Sequence, residues 1–541
     1  MNFFRKTVRI IPYLCFIFSL ALTGCTKQTQ EVKPDKIHIG SFGILHKGVE
    51  TKEEPVIPSP SEQKKKEVAE RLDTQGLLYT GKVVVDKDPK MLQPPKSVAK
   101  FAGKEFSIAQ EPPEVAFAIV PVEPMFLGES PVKPGDNEEP NANDPGPWSN
   151  WSQSNYDTRT GKFYSAIGDH AKYDAHILLV EYDPAARKVR CLPEVNKVLG
   201  RTKTQFSEGK IHGWLDFYQS KDIDKPHLWY CTYWAKYPPG RNEPEEVDYA
   251  TGYDGGHIMS YDVLTGDIVD YGVPLVRASW PYHRVDTKRG IMYAVGMFGE
   301  FLAWDINQQK TKWAGYMPKG MGWWERAILI DEETGMVYTS NRDQDSDPML
   351  HFIKYDPFKN RFFQLACHMP EEIRTGNRGS GQYQQMRAQT RRRGPDGLFW
   401  GVSYNGMLFT FDPVKEEIVG KGYNWPGEER YTASMDRSPG GRYVYYLPGA
   451  HGRGYAEGSP IVQYDTQTGT KKILAFMFPY YYEKYGYTPG GTFSIKLDDE
   501  GKQLFILWNG AFIEHKEGAG GDTFGQCSVM VVNIPESERI E

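Results

Sequence analysis

Cysteine is scarce in this chain of 541 residues, which has only 6, and Cys191, Cys231, Cys367 and Cys527 stand far apart. No C-x-x-C pair and no C-x-x-C-H occurs, so neither a zinc ribbon nor a covalently attached haem has a sequence basis. A role as a redox partner loses its main support with them. Charge of one sign is scarce too. The formal net charge is −6 and the basic residues make one short run, Arg391-Arg392-Arg393, which excludes nucleic acid as an expected partner. Long apolar runs are also lacking. The stretch from Ile10 to Leu22, broken by Pro12 and Ser19, falls short of the roughly 20 residues that a transmembrane helix needs.

That stretch follows Arg5, Lys6 and Arg9, and a basic start before a short apolar core is the pattern of a signal peptide. It ends in Leu22-Thr23-Gly24-Cys25, which resembles the bacterial lipobox, with small residues ahead of a cysteine. The expectation is a signal over residues 1–24, a lipid on Cys25, and a protein exported to the cell envelope and anchored to a membrane, at the outer membrane or the periplasmic face. Residues 25–147 are rich in Pro, Lys and Glu and read as a largely irregular tether with short ordered patches. Leu77 to Val85 has the look of a strand, and Glu114 to Phe126 is apolar enough to pack on a folded domain.

From residue 148 to 541 one unit repeats: an apolar strand ending in an aromatic residue and Asp, then a turn and a further strand. The instances end in Tyr182-Asp183, Tyr261-Asp262, Trp304-Asp305, Tyr355-Asp356, Phe411-Asp412 and Tyr464-Asp465, with Val532-Asn533 as a degenerate seventh. Successive units lie 43 to 79 residues apart, long enough for four short strands each. An earlier strand precedes every unit, usually after a glycine turn such as Thr160-Gly161 or Gly440-Gly441. The fold class expected is all-β, a seven-bladed β-propeller of four-stranded blades. The Asp residues are turn formers and belong to the scaffold.

In a propeller the innermost strand of each blade faces a central funnel. The segments ahead of the second strands carry Lys210-Ile211-His212, Tyr282-His283-Arg284, Trp323-Trp324-Glu325-Arg326, Gln385-Met386-Arg387 and Tyr431-Thr432. In a slightly acidic chain this set is basic and aromatic. Arg makes bidentate bonds to carboxylates, so His212, His283, Arg284, Arg326 and Arg387 point to an anionic ligand. His257 follows Gly255-Gly256 and is placed to reach the mouth. Aromatic residues are plentiful, with 13 Trp, 33 Tyr and 27 Phe, a supply that suits stacking on sugar rings.

Gly209-Lys210-Ile211-His212-Gly213, the strand from Gly255 to Asp262 and the segment from Asp286 to Tyr293 resemble blade sequences of secreted bacterial propellers. Among these are polysaccharide lyases of the ulvan-lyase and oligogalacturonate-lyase type. The resemblance implies β-elimination on an anionic, uronate-containing polysaccharide. It gives Tyr282 or His283 the acid–base role and Arg284 or Arg326 the neutralisation of the carboxylate. His212, His257, Trp324, Arg326 and Arg387 are then substrate-binding, and His212 and His257 are candidate ligand or metal contacts. A divalent metal ion is the cofactor class to look for, although the His and Gln cluster that holds the metal in oligogalacturonate lyases has no counterpart around His351. The competing expectation is a non-catalytic propeller that binds a glycan or a protein partner at its rim.

Overall fold

Runs of Val, Ile, Leu, Tyr, Phe and Trp make the inner strands of each repeat apolar on both faces, a pattern that suits sheets buried on both sides. The structure is a computed structural model that describes residues 80–122, 148–169, 175–201, 207–221, 226–234, 253–322, 326–372, 383–512 and 523–540. Seven antiparallel blades form a propeller ring. Blade 1 comprises Asn155–Asp157, Lys162–Gly168, Ile177–Asp183 and Lys188–Glu194, with Ser149–Asn150 extending its innermost strand. Blade 2 comprises Asp216–Tyr218, His227–Cys231, Ile258–Asp262 and Ile268–Asp270, prolonged by the pair Glu208–Lys210 and Tyr233–Trp234. Blade 3 runs Tyr282–Asp286, Ile291–Val295, Glu300–Asp305, Lys310–Tyr316, and blade 4 runs Leu329–Asp331, Met336–Ser340, His351–Asp356, Arg361–His368. Blade 5 runs Met386–Gln389, Phe399–Ser403, Met407–Asp412, Glu417–Tyr423. Blade 6 runs Met435–Arg437, Tyr443–Tyr446, Pro460–Asp465, Lys471–Phe476. Among the described residues no helix is long and apolar enough to cross a membrane.

Blade 7 is assembled from both parts of the chain. Thr488–Leu497, Gln503–Ala511 and Ser528–Asn533 supply three strands, and Glu114–Ile119 adds the fourth, antiparallel to Ser528–Asn533. Val84–Asp86 pairs outside it, while Ser107–Ile108 runs parallel to the outer strand of blade 6. Strands Val84–Asp86 and Glu114–Ile119, which overlap the expected patches in part, take part in the sheets of the propeller, which draw on residues well before 148. Without Glu114–Ile119 the last blade would present an open edge.

Both elements of the repeat have a structural role. Each aromatic residue of the motif packs against an aromatic of the preceding blade, with ring centroids 4.8 to 6.5 Å apart: Tyr182 on Phe505, Tyr261 on Tyr164, Trp304 on Trp229, Tyr355 on Phe301, Phe411 on Tyr338 and Tyr464 on Trp400. In blade 7, Val532 takes the place and packs in one cluster with Tyr443 and Tyr445 of blade 6. The Asp that follows accepts backbone N–H groups of the next turn. Asp262 takes those of Leu264 and Thr265, Asp356 those of Phe358 and Lys359, and Asp412 those of Val414 and Lys415. Repetition of the motif therefore reflects repetition of one hairpin and one blade contact.

Candidate functional site

Residues from six blades meet around one end of the axis, at or near the N-terminal ends of the innermost strands. Lys210, at the end of Glu208–Lys210, puts its Nζ 4.2 Å from the ring centre of Trp151 and 4.5 Å from that of Tyr233. His212 lies 5.9 Å from Trp151 and 5.9 Å from Phe493, ring centre to ring centre. Arg387 of blade 5 spreads its guanidinium 5.1 Å from Tyr431 and 5.0 Å from Phe493. Tyr404, Tyr431, His451 and Phe524, all half-buried, form the more exposed wall, with Tyr404 against Tyr431 at 4.9 Å and His451 against Trp151 at 5.5 Å. The cup is therefore aromatic-walled, as cation–π packing and sugar stacking both favour.

Among the described residues the charged side chains of this cup that the contacts name are basic. Lys210, His212, Arg326 and Arg387 are all buried, Arg387 at 0 % exposure. Burial, reinforced by Arg326 and Arg387, pushes the Lys210 ammonium well below its ordinary range. Burial pushes His212 well below its ordinary range too, and Lys210, Arg387 and Arg326 add to the shift, so the imidazole is neutral at neutral pH. His212 Nδ1 has no hydrogen-bond partner within the protein. Arg387 donates from Nε to the Tyr431 hydroxyl, while its Nη1 and Nη2 have no partner. A buried guanidinium with two idle NH₂ groups beside like charges is costly unless an anion completes it.

Farther along the same strands Arg391, Arg392 and Arg393 face carboxylates, while Arg284, also fully buried, leaves Nε and Nη1 without a partner. Arg391 crosses the axis from blade 5: its Nη1 donates to Asn155 Oδ1 at 2.9 Å and its Nη2 stands 2.8 Å from Asp216 Oδ1. Arg284 donates from Nη2 to the Arg391 carbonyl at 3.0 Å and lies 4.9 Å from the ring centre of Trp214. Arg392 pairs with Glu332 and Arg393 with Asp331. Between the two levels, the Tyr282 hydroxyl accepts from Trp214 Nε1 at 2.5 Å and from Gln389 Nε2 at 3.0 Å, and burial raises its pKa. His283 points the other way. Its Nε2 accepts the Cys231 N–H at 3.2 Å, and burial pushes its pKa down to about 4. A side chain at Gly213 would bring Cβ within 2.4 Å of His283 Nδ1, so glycine is required there.

The structure thus brings His212, Arg326 and Arg387 together and sets Tyr282, His283 and Arg284 deeper, each engaged by neighbouring blades. His257 joins neither group. Its Nδ1 lies 2.9 Å from Asp270 Oδ1 and its Nε2 lies 2.9 Å from Arg201 Nη2, inside blade 2. Trp324, its neighbours Trp323 and Glu325, and Cys25 lie outside the described residues. Lys210 is the member of the cup that sequence reasoning passed over as a charge, since a lone Lys in a strand usually reads as solvated. Arg391 was visible only as part of a basic run. The chain matches no protein-family model and no curated protein.

Proposed function

We propose that the cup at the propeller axis binds the carboxylate of a uronate-containing polysaccharide and cleaves the chain by β-elimination. The observation that carries this is Arg387, fully buried with both Nη groups unpartnered and with Lys210, His212 and Arg326 as its charged or titratable neighbours among the described residues. Arg387 and Arg326 neutralise the uronate carboxylate, which makes the C5 proton acidic by stabilising the charge that develops as it leaves. His212, held neutral, accepts that proton at its unpartnered Nδ1. The C4–O4 bond then breaks, the electron pair of the C5–H bond becomes the C4=C5 double bond, and the imidazolium returns its proton to the glycosidic oxygen, which departs as the anomeric hydroxyl of the leaving sugar. On this reading the acid–base role belongs to His212, and Tyr282 and His283 support the strand beneath it. Trp151, Tyr233 and Tyr431 supply stacking faces for the sugar rings. The lipobox-like Leu22-Thr23-Gly24-Cys25 supports a lipid-anchored enzyme of the cell envelope, working on polymer outside the membrane.

The test is ultraviolet absorbance of the unsaturated uronide, followed with ulvan, pectate, alginate and glycosaminoglycans. The expected result is turnover of one of these, abolished in Arg387→Ala and in His212→Ala with the fold retained. Binding of a polyuronide without turnover, lost in Arg387→Ala, would reduce the reading to a glycan-binding propeller. Neither turnover nor binding on any of them would overturn it.

A further inference from the structure

A second group of polar side chains lies inside blade 2. Glu208 begins the short strand Glu208–Lys210 that prolongs the blade, Asp254 and His257 precede the third strand, and Asp270 ends the fourth. One ligand atom each from Glu208, Asp254 and His257 lies within 4.8 Å of the others. The tautomer of His257 follows from its neighbours. Arg201 Nη2, 2.9 Å from His257 Nε2, can only donate, so Nε2 accepts and the ring proton sits on Nδ1, facing Asp270 Oδ1 at 2.9 Å. A carboxylate behind one ring nitrogen and the lone pair on the other, here turned toward Arg201, is how metal-binding histidines are oriented.

The place between the three is taken by one corner of Arg201. Its Nη2 donates to Asp254 Oδ1 at 2.7 Å and stands 4.0 Å from Glu208 Oε1. As a counter-ion it fits poorly. Glu208 is fully buried and its Oε1 has no hydrogen-bond donor, while Arg201 Nε is buried without an acceptor. A compact divalent ion would satisfy the Glu208 oxygen that the guanidinium leaves idle.

We propose that Glu208, Asp254 and His257 form a site for a single divalent transition-metal ion of the Zn²⁺ or Mn²⁺ class, which displaces the Arg201 corner on binding. One imidazole nitrogen with two carboxylate oxygens is a donor set for such ions, while all-oxygen sets favour calcium or magnesium. Glu208 shares a strand with Lys210, so the ion orders the strand that carries one wall of the cup. The site stands apart from the anion-binding reading, and Arg387→Ala leaves it intact.

The experiment is calorimetric titration of chelator-treated protein with ZnCl₂ and MnCl₂, with Co²⁺ as a visible-light probe of the coordination. Stoichiometric binding is expected, lost in Glu208→Gln and His257→Ala. Asp270→Asn, which removes the carboxylate behind the ring, weakens binding about tenfold or more. Arg201→Ala, which removes the competing cation, tightens it. Thermal melts of each variant report whether it is folded, and the gain in Arg201→Ala cannot arise from misfolding. No stoichiometric site in either the unaltered protein or Arg201→Ala overturns the proposal, as does a site that survives both Glu208→Gln and His257→Ala.

Discussion

His283→Gln tests whether the buried imidazole is a structural acceptor that refuses a proton. His283 is fully buried and accepts the Cys231 N–H, and burial lowers its pKa from the ordinary 6.5 to about 4. In the unfolded chain the ring returns to its ordinary value, so between the two values the unfolded state binds a proton that the native state does not. The contribution of this residue to stability is therefore whole above about pH 6.5 and is lost as the pH falls toward about 4. Treated as one titration in each state, the loss between about pH 7.5 and about pH 5 is about 2 kcal/mol, within a limit of about 3 kcal/mol. Gln keeps an acceptor in the same place and does not titrate. Urea midpoints of both proteins at both pH values supply the comparison, because other titrating groups contribute equally to each and cancel in the difference. The unaltered protein is expected to lose about 2 kcal/mol more than His283→Gln on acidification. Equal losses would mean that His283 titrates in the folded state as it does in water, and the placement would be refuted.

Three further outcomes follow from the same packing. Phe117, fully buried with its ring centre 4.8 Å from that of Tyr481 and 5.1 Å from that of Tyr485, anchors the strand that completes blade 7; Phe117→Ala should cost about 3 to 5 kcal/mol in chemical denaturation. Asp216→Asn removes the charge that faces Arg391 at 2.8 Å while keeping an acceptor for the Val285 N–H, and should cost about 3 to 5 kcal/mol because it strands a buried guanidinium. Arg387→Met should do the opposite, raising the stability of the ligand-free protein by about 1 to 4 kcal/mol in the same assay while abolishing binding of anions.

The ring was legible in the sequence because its period comes from local chemistry repeated six times, and in degenerate form a seventh: an aromatic that meets the previous blade and an Asp that closes a hairpin. Tyr464-Asp465 and Tyr261-Asp262 look alike because they do the same work. Closure was not legible. Glu114 and Asn533 are 419 residues apart in sequence yet face each other across the last ladder, and no local pattern announces such a pairing. The funnel was read in outline, since His212, Arg326 and Arg387 do converge. Tyr282, His283 and Arg284 drew attention as three reactive side chains in a row, but neighbours on a strand point to opposite faces. Tyr282 and Arg284 accordingly meet Trp214, while His283 meets the Cys231 backbone.

What separates scaffold from site along this axis is the presence of the opposite charge. Arg391, Arg392 and Arg393 each face a carboxylate, from Asp216, Glu332 and Asp331 respectively, and together they tie blades 2, 4 and 5 across the floor. Arg387, one strand end away in the same blade, meets aromatic rings and a tyrosine hydroxyl among the described residues. A fold that places acids against three neighbouring arginines had the means to do so for the fourth. Leaving Arg387 uncompensated beside Lys210 and His212 lowers the stability of the empty protein, and an anionic ligand returns that free energy as affinity. Asp216→Asn and Arg387→Met, both aimed at buried arginines of one strand system, should therefore shift stability in opposite directions, and a common direction would remove the physical ground for calling the cup a binding site.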